Sequence, residues 1–329
     1  MVKLKSSVTI LNPYTAKGYS ALDMVIEVIK RKKDNLDSLK YTDHYFYRQF
    51  HTENGSAVRL IEADVYVKRN KLSEKYPYYS DDEVAVNKLR RSDNNEQNKD
   101  QHGDHLMDVL AEDPVCRSTS PFLTIKMLDN FHFYYDTSGN KQVLREDNSI
   151  DTLISDEKMS VIKFETLPSG KEKKFIGTLI VGTKDFIIYR VEVSGTRNPN
   201  AKQERVGINV PFRWEYQSGK NIYNYKNVNG KIRLADVHYS YLHDLYNTKI
   251  NSKDYRVEEF FELYRIPSSS SDSAMKFREF SDLYSLKYHY DNDFWKDYKP
   301  LFAYPLSKDS KDGFERKRLL DLQFSENGY

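Results

Sequence analysis

A single cysteine, Cys116, is all the thiol chemistry in this chain of 329 residues. Without a second cysteine it can close no internal disulfide, and without a CxxC pair it offers no zinc or dithiol motif, so it reads as a small buried or idle thiol. Glycine is scarce too, at 13 residues. Neither GxGxxG nor GxSxG occurs, which removes the dinucleotide cradle and the nucleophile elbow. Gly177-Thr178-Leu179-Ile180-Val181-Gly182 imitates phosphate-loop spacing, but Thr183 stands where lysine is required and the intervening residues are strand formers. No apolar run approaches the ~20 residues of a membrane-spanning helix, and the start of the chain lacks the apolar core of a secretion signal; a leader removed ahead of Met1 would leave no trace. Charge of one sign is missing as well. Lysine and arginine number 51 against 49 acidic residues, with no basic stripe, so no nucleic-acid footprint is visible.

What the chain has is tyrosine, 26 of them, mostly in stretches that alternate apolar and polar side chains. Val206, Ile208, Val210, Phe212, Trp214 and Tyr216 are interleaved with polar or turn-forming residues, the period of an extended chain with one apolar face. Such strands suit an antiparallel sheet with one covered face rather than a fully buried parallel sheet.

Ser20 can cap a helix whose apolar residues Leu22, Val25, Ile26 and Ile29 recur at helical spacing, with Lys30 to Lys33 at its cation-favouring end. His44 to His51 and Ala57 to Lys68 form a hairpin across Asn54-Gly55. Lys88 to Asp104 is nearly all polar and is expected to be a mobile loop, since it buries too little to offset its ordering entropy. Two short helices are expected at His105 to Ala111 and Pro121 to Leu128, either side of Asp113-Pro114. From Met159 a meander follows. Phe175 to Val181 and Phe186 to Val193 pair across Gly182 to Asp185, Arg205 to Gln217 turns at Ser218-Gly219 into Asn221 to Tyr225, and Asn229-Gly230 leads into Lys231 to Tyr246. There the apolar register passes from Ile232 and Leu234 to Val237, Tyr239 and Tyr241, a parity change that implies a bulge. Tyr255 to Ile266 is a last strand, 268–273 a flexible connector and 307–329 a C-terminal tail. The expectation is one α+β domain over 1–329, a large curved antiparallel sheet, a half-barrel of about nine or ten strands, partly covered by two or three helices.

Several fragments, in order, resemble a family of envelope proteins from Bacteroidetes-type bacteria that are described as carboxypeptidase-regulatory-like-domain proteins of unknown function. They are Ala21 to Lys33, Tyr45 to Arg48, Arg59 to Ala63, Lys88 to Ser92, Asp113-Pro114, Phe122-Leu123, Gly177 to Val193 and Asp293 to Tyr298. Each is weak alone; order and spacing carry the resemblance. It implies a helix-capped curved sheet like that of the periplasmic lipoprotein carriers, exported past the inner membrane to the periplasm or the outer membrane. The small β-sandwich that commonly lies upstream in that family has no counterpart in this sequence.

Among chemical constellations, His102, His105, Asp108 and Glu112 offer zinc-type ligands, the last three along one helix face, but nothing in the sequence supports a second shell, and solvated residues beside a loop explain them as well. His238 and His243, five apart in a strand, fall on opposite faces. With a two-residue Asn-Gly turn Arg48 stands opposite Ile61 and Glu62 opposite Tyr47; a one-residue bulge would pair the two charges, as a structural ion pair rather than a catalytic one. The remaining candidate is aromatic. Phe212, Trp214, Tyr216, Tyr189 and Tyr239 could line a concavity for an acyl chain, with plain core packing as the competing explanation. The sequence therefore suggests a non-enzymatic envelope protein, without cofactor or metal, that binds a hydrophobic or lipid-linked ligand, or a protein partner, in or on its sheet. The rivals are a scaffold with a filled core and a hydrolase or metal enzyme. Cavity volume separates the first, converging carboxylates or histidines with shifted pKa the second.

Overall fold

The computed structural model describes residues 19–36, 40–69, 82–93, 104–116, 120–136, 159–167, 173–197, 212–247, 252–267, 283–284 and 286–327. Alternating side chains build ten antiparallel strands, β1 (Tyr41–Glu53), β2 (Ser56–Arg69), β3 (Glu83–Asp93), β4 (Phe131–Tyr135), β5 (Met159–Thr166), β6 (Lys173–Gly182), β7 (Ile188–Arg197), β8 (Phe212–Val228), β9 (Lys231–Asn247) and β10 (Ser252–Ile266). They form one open, curved sheet in the order β3-β2-β1-β10-β9-β8-β7-β6-β5-β4. The first three strands make one edge. The chain then crosses to the far edge and returns strand by strand until β10 closes against β1.

That crossing supplies part of the cover. Helix α1 (Ala21–Asn35) begins with a capping box, in which the Asp23 amide donates to Ser20 Oγ at 3.1 Å and the Ser20 amide to Asp23 Oδ2 at 3.1 Å. It buries Met24, Val25 and Val28. Helix α2 (Leu106–Ala111) and two 3-10 turns, Pro121–Leu123 and Ile125–Asn130, join it over one sheet face, where Tyr45, Ile61, Phe164, Leu179, Val191, Tyr223, Leu234 and Phe261 fill a single core. The opposite face of β1 to β3 is covered by four C-terminal helices, α3 (Asn292–Lys296), α4 (Lys299–Ala303), α5 (Lys308–Glu315) and α6 (Leu320–Asn327). Trp295 and Tyr298 pack on Phe46 and Tyr264, while Phe314, Leu320 and Phe324 pack on Leu60.

Five local expectations are corrected or completed. The segment 307–329 is no free tail, because α5 and α6 lie within it and bury Phe314 and Phe324. Lys88 to Asp93 is strand, not mobile loop. Its polar side chains are used, Arg90 on Glu62, Lys88 on Asp291 at 2.5 Å, and Ser92 on Gln323. Residues 94–103 and 268–273 lie outside those described. Ser218-Gly219 is not a turn: β8 runs straight through it, with Gln217 bulged against β9. Finally, Val58 is the extra residue in the β1–β2 hairpin, and this bulge brings Arg48 opposite Glu62. The bulge expected from the parity change in β9 falls at Ala235.

The Arg48–Glu62 pair is the centre of a buried network. Arg48 Nε donates to Glu62 at 2.7 Å and its Nη1 to Glu262 at 3.0 Å, while Arg90 Nε donates to the other Glu62 oxygen at 2.7 Å. Burial favours the neutral carboxyl, yet the Arg90 and Arg48 charges outweigh it and hold the Glu62 pKa below its ordinary value. A carboxylate depressed in the folded state stabilises above its unfolded pKa, and that stability is lost as pH falls through the folded value. Urea midpoints should therefore drop as the pH is taken below about 4.5, and Glu62→Gln should show a shallower decline over that window. An equal slope in both proteins would contradict this assignment.

Candidate ligand-binding surface

On the covered face two glycines face each other across the β7–β8 ladder, Gly195 opposite Gly219. Neither could carry a side chain. A Cβ on Gly219 would lie 2.5 Å from the Tyr241 ring, and one on Gly195 would lie 2.6 Å from the Tyr216 hydroxyl. The missing side chains let both tyrosines lie close over the strands. Tyr216 anchors itself by donating to the Gly195 carbonyl at 3.1 Å. Its ring centroid is 6.3 Å from that of Tyr241 and 5.8 Å from the His243 ring, and all three side chains are only half-buried.

A polar margin surrounds this aromatic platform. Asn221 Nδ2 donates to the Tyr241 hydroxyl at 3.0 Å, and Asn221 Oδ1 is buried without a hydrogen-bond partner. The Tyr241 hydroxyl reaches Glu112 Oε2 at 3.4 Å, and His243 Nε2 lies 3.8 Å from Glu259. Burial pushes the Tyr216 pKa up to about 12 and raises that of Tyr241 further, so both stay neutral phenols. The bulge at Gln217 is what places Tyr216 on the same face as Tyr241, since it shifts the side-chain parity between Tyr216 and Gly219.

The five aromatic residues singled out from the sequence do not form one concavity. Tyr216 belongs to the platform. Tyr239 is buried in the core, where its hydroxyl is in hydrogen-bond contact with that of Tyr223. Tyr189 is the bulged residue of β7, at the other end of the ladder, and its hydroxyl donates to Asp185 Oδ2 at 2.8 Å. Phe212 and Trp214 are placed by their backbones at the start of β8, opposite Asn247 and Leu245; their side chains lie outside those described. Tyr241, Asn221 and the two glycines were not anticipated. Their signal was there, as glycines at matching ladder positions beside strands with tyrosine at the same parity.

The histidine and carboxylate candidates disperse. His102 is outside the described residues; His105 Nδ1 bonds Asp108 at 2.8 Å, and Glu112 meets the Tyr241 hydroxyl. Burial disfavours the charged His105 ring, but the Asp108 hydrogen bond and the Glu259 charge raise its pKa on balance. Among the described residues no three potential ligands gather for a metal ion. His238 and His243 are indeed on opposite faces, the first beside Tyr264, the second beside Tyr216.

Beneath α1 a cavity lined by Val28, Leu36, Val115, Phe186 and Ile232 has a volume of about 20 Å³. That is space for one water, against the several hundred Å³ typical of sites that enclose a ligand.

No protein-family model matches this chain, and no curated protein does. Among solved structures it is similar to one titled for lipid–protein interactions in lipovitellin, at 8% identity and a TM-score of 0.27, covering 72% of this chain and 27% of that one. The chain thus spans about a quarter of that protein's length, and a likeness at this level carries no inference about binding here.

Proposed function

We propose that the chain is a non-enzymatic protein of the cell envelope, periplasmic or outer-membrane-associated, that binds its ligand on the open aromatic part of the sheet and not inside it. The observation that carries this reading is the platform of Tyr216 and Tyr241 over Gly195 and Gly219, beside a core that its own side chains fill. A fold made to enclose an acyl chain keeps a lined void; this one uses Phe164, Tyr223, Tyr239 and Phe261 as packing. The envelope placement rests on the sequence resemblance.

Native mass spectrometry of the chain purified from its own host tests the reading. An adduct retained by the wild type and lost from the double variant Tyr216→Ala, Tyr241→Ala is expected. An acyl-lipid adduct held equally by both proteins would locate the ligand in the interior and contradict it.

A further inference from the structure

We infer that the free edge of β4 pairs with β4 of a second copy of this chain, about a twofold axis at Phe133, an inference independent of the aromatic platform. β4 ends the sheet on its side and is joined to β5 alone. The Leu167 amide donates to the Asn130 carbonyl at 2.9 Å and the Asp136 amide to the Val161 carbonyl at 3.0 Å, so the even-numbered residues of this stretch bond to β5. By the alternation of an antiparallel ladder, the N–H and C=O groups of Phe131, Phe133 and Tyr135 point the other way, where no described strand lies. Open edges are usually blunted by lysine, proline or a bulge. The β3 edge has Lys88, Arg90 and Arg91 and a bulge at Asn87. β4, whose sequence is Phe-His-Phe-Tyr-Tyr, has none of these devices and pairs with β5 without a register shift.

A second copy matches this edge in backbone, side chains and charge. With Phe133 opposite its own counterpart, Phe131 of each copy faces Tyr135 of the other and every outward donor meets an outward acceptor; any other twofold register leaves at least one of the three residues unpaired. On the outer face His132 then stands opposite Tyr134 of the second copy, in wide pairs with Cα atoms about 4.5 Å apart. This sheet already contains such a pair, His44 on β1 opposite Tyr66 on β2, with ring centroids stacked at 4.1 Å. His132 and Tyr134 are both exposed. Within one copy Glu165 is opposite His132 and Lys163 opposite Tyr134, so each row across the junction has an acid at one end and a base at the other. The surroundings are apolar. Ile125 and Met127 on the turn that leads into β4, Leu167 just past β5 and Ile176 on β6 are exposed. At the other end of β4 the Tyr135 hydroxyl donates to the Tyr19 carbonyl at 3.1 Å and holds the start of α1, where Leu22 is exposed. Antiparallel pairing brings Leu22 of one copy toward Ile125 and Met127 of the other.

Sedimentation velocity of the full chain tests this. The edge is short, so a reversible dimer with a Kd of about 10 µM is expected across a range of about 1–200 µM. In hydrogen exchange of the wild type, the Phe131, Phe133 and Tyr135 amides should gain protection as the concentration rises, while those of His132 and Tyr134 are protected by β5 throughout, a readout that needs no variant to fold. Giving both exposed side chains one charge, as His132→Lys with Tyr134→Lys or His132→Asp with Tyr134→Asp, should weaken self-association at least about tenfold, and mixing the two double variants should restore the dimer. A chain that stays monomeric over the whole range overturns the inference, and so does a dimer that ignores both double variants. An unrelated extended peptide of alternating valine and threonine that protects the three edge amides of a monomeric chain would assign the edge to another protein and overturn it as well.

Discussion

Replacing Arg69 by methionine will lower the unfolding free energy by about 3–5 kcal/mol, the cost of leaving buried charges without their counter-ion. Arg69 is the last residue of β2 and is itself buried. One terminal nitrogen donates to Asp82 at 2.9 Å and to the Leu110 carbonyl at 3.3 Å; the other donates to Asp113 at 3.2 Å. Both carboxylates are almost wholly removed from water. Asp113 in turn accepts from the Val115 and Cys116 amides and from the Tyr225 hydroxyl, so it ties the turn after α2 to β8. The arginine thereby joins the end of α2, the entry to β3 and the sheet at one point. Urea denaturation of the variant should show the midpoint falling with an unchanged slope. A loss below 1 kcal/mol would mean that the pairing is solvated and holds nothing in place.

The second large effect is expected for Phe164→Ala, at about 3–5 kcal/mol, as for other fully buried aromatic truncations. Phe164 stacks on Phe122 with centroids 4.5 Å apart and meets Phe131 edge-on at 6.0 Å, so it joins the 3-10 turns of the crossing segment to β5. It closes over Gly177, where an added Cβ would overlap both the Phe164 ring and the Glu192 carbonyl. Gly177→Ala should therefore also destabilise, and the loss should shrink in a Phe164→Ala background without disappearing, because the carbonyl clash remains. Full additivity of the two substitutions would contradict the contact.

Much of the fold was written in local sequence. Asn54-Gly55 and Asn229-Gly230 sit at positive φ in tight turns, the conformation those residues tolerate best, and each starts a hairpin. The parity change between Leu234 and Val237 gave its bulge away, because both sides of it are apolar on the same face. Bulges without such a marker stayed hidden. Val58 stands between Ala57 and Arg59 with no change of apolar parity to mark it, and nothing local showed that the register of Arg48 and Glu62 would slip into alignment. Lys88 to Asp93 looked like loop because Lys88, Arg90 and Ser92 are satisfied by partners far along the chain, Asp291, Glu62 and Gln323. The same distance concealed the C-terminal helices, whose cover is needed only because Phe46 and Leu60 lie on a face that a half-covered sheet was not expected to bury.

The surface site was the least legible part. Reading Ser218-Gly219 as a turn broke β8 in two, and with it the ladder that sets Gly219 beside Gly195. Once the strand is continuous, tyrosines over glycines become a layout rather than a composition. Tyr239 and Tyr189, chosen for the same reason as Tyr216, show how little a shared residue type says about a shared site: one is core and the other is tied to a turn aspartate.

A crystal structure of the chain carrying a ligand captured from its host tests the central claim most directly. The account predicts density lying over the Tyr216 and Tyr241 rings. Density between α1 or α2 and the sheet, in a void opened by moving the core aromatic residues, would contradict it.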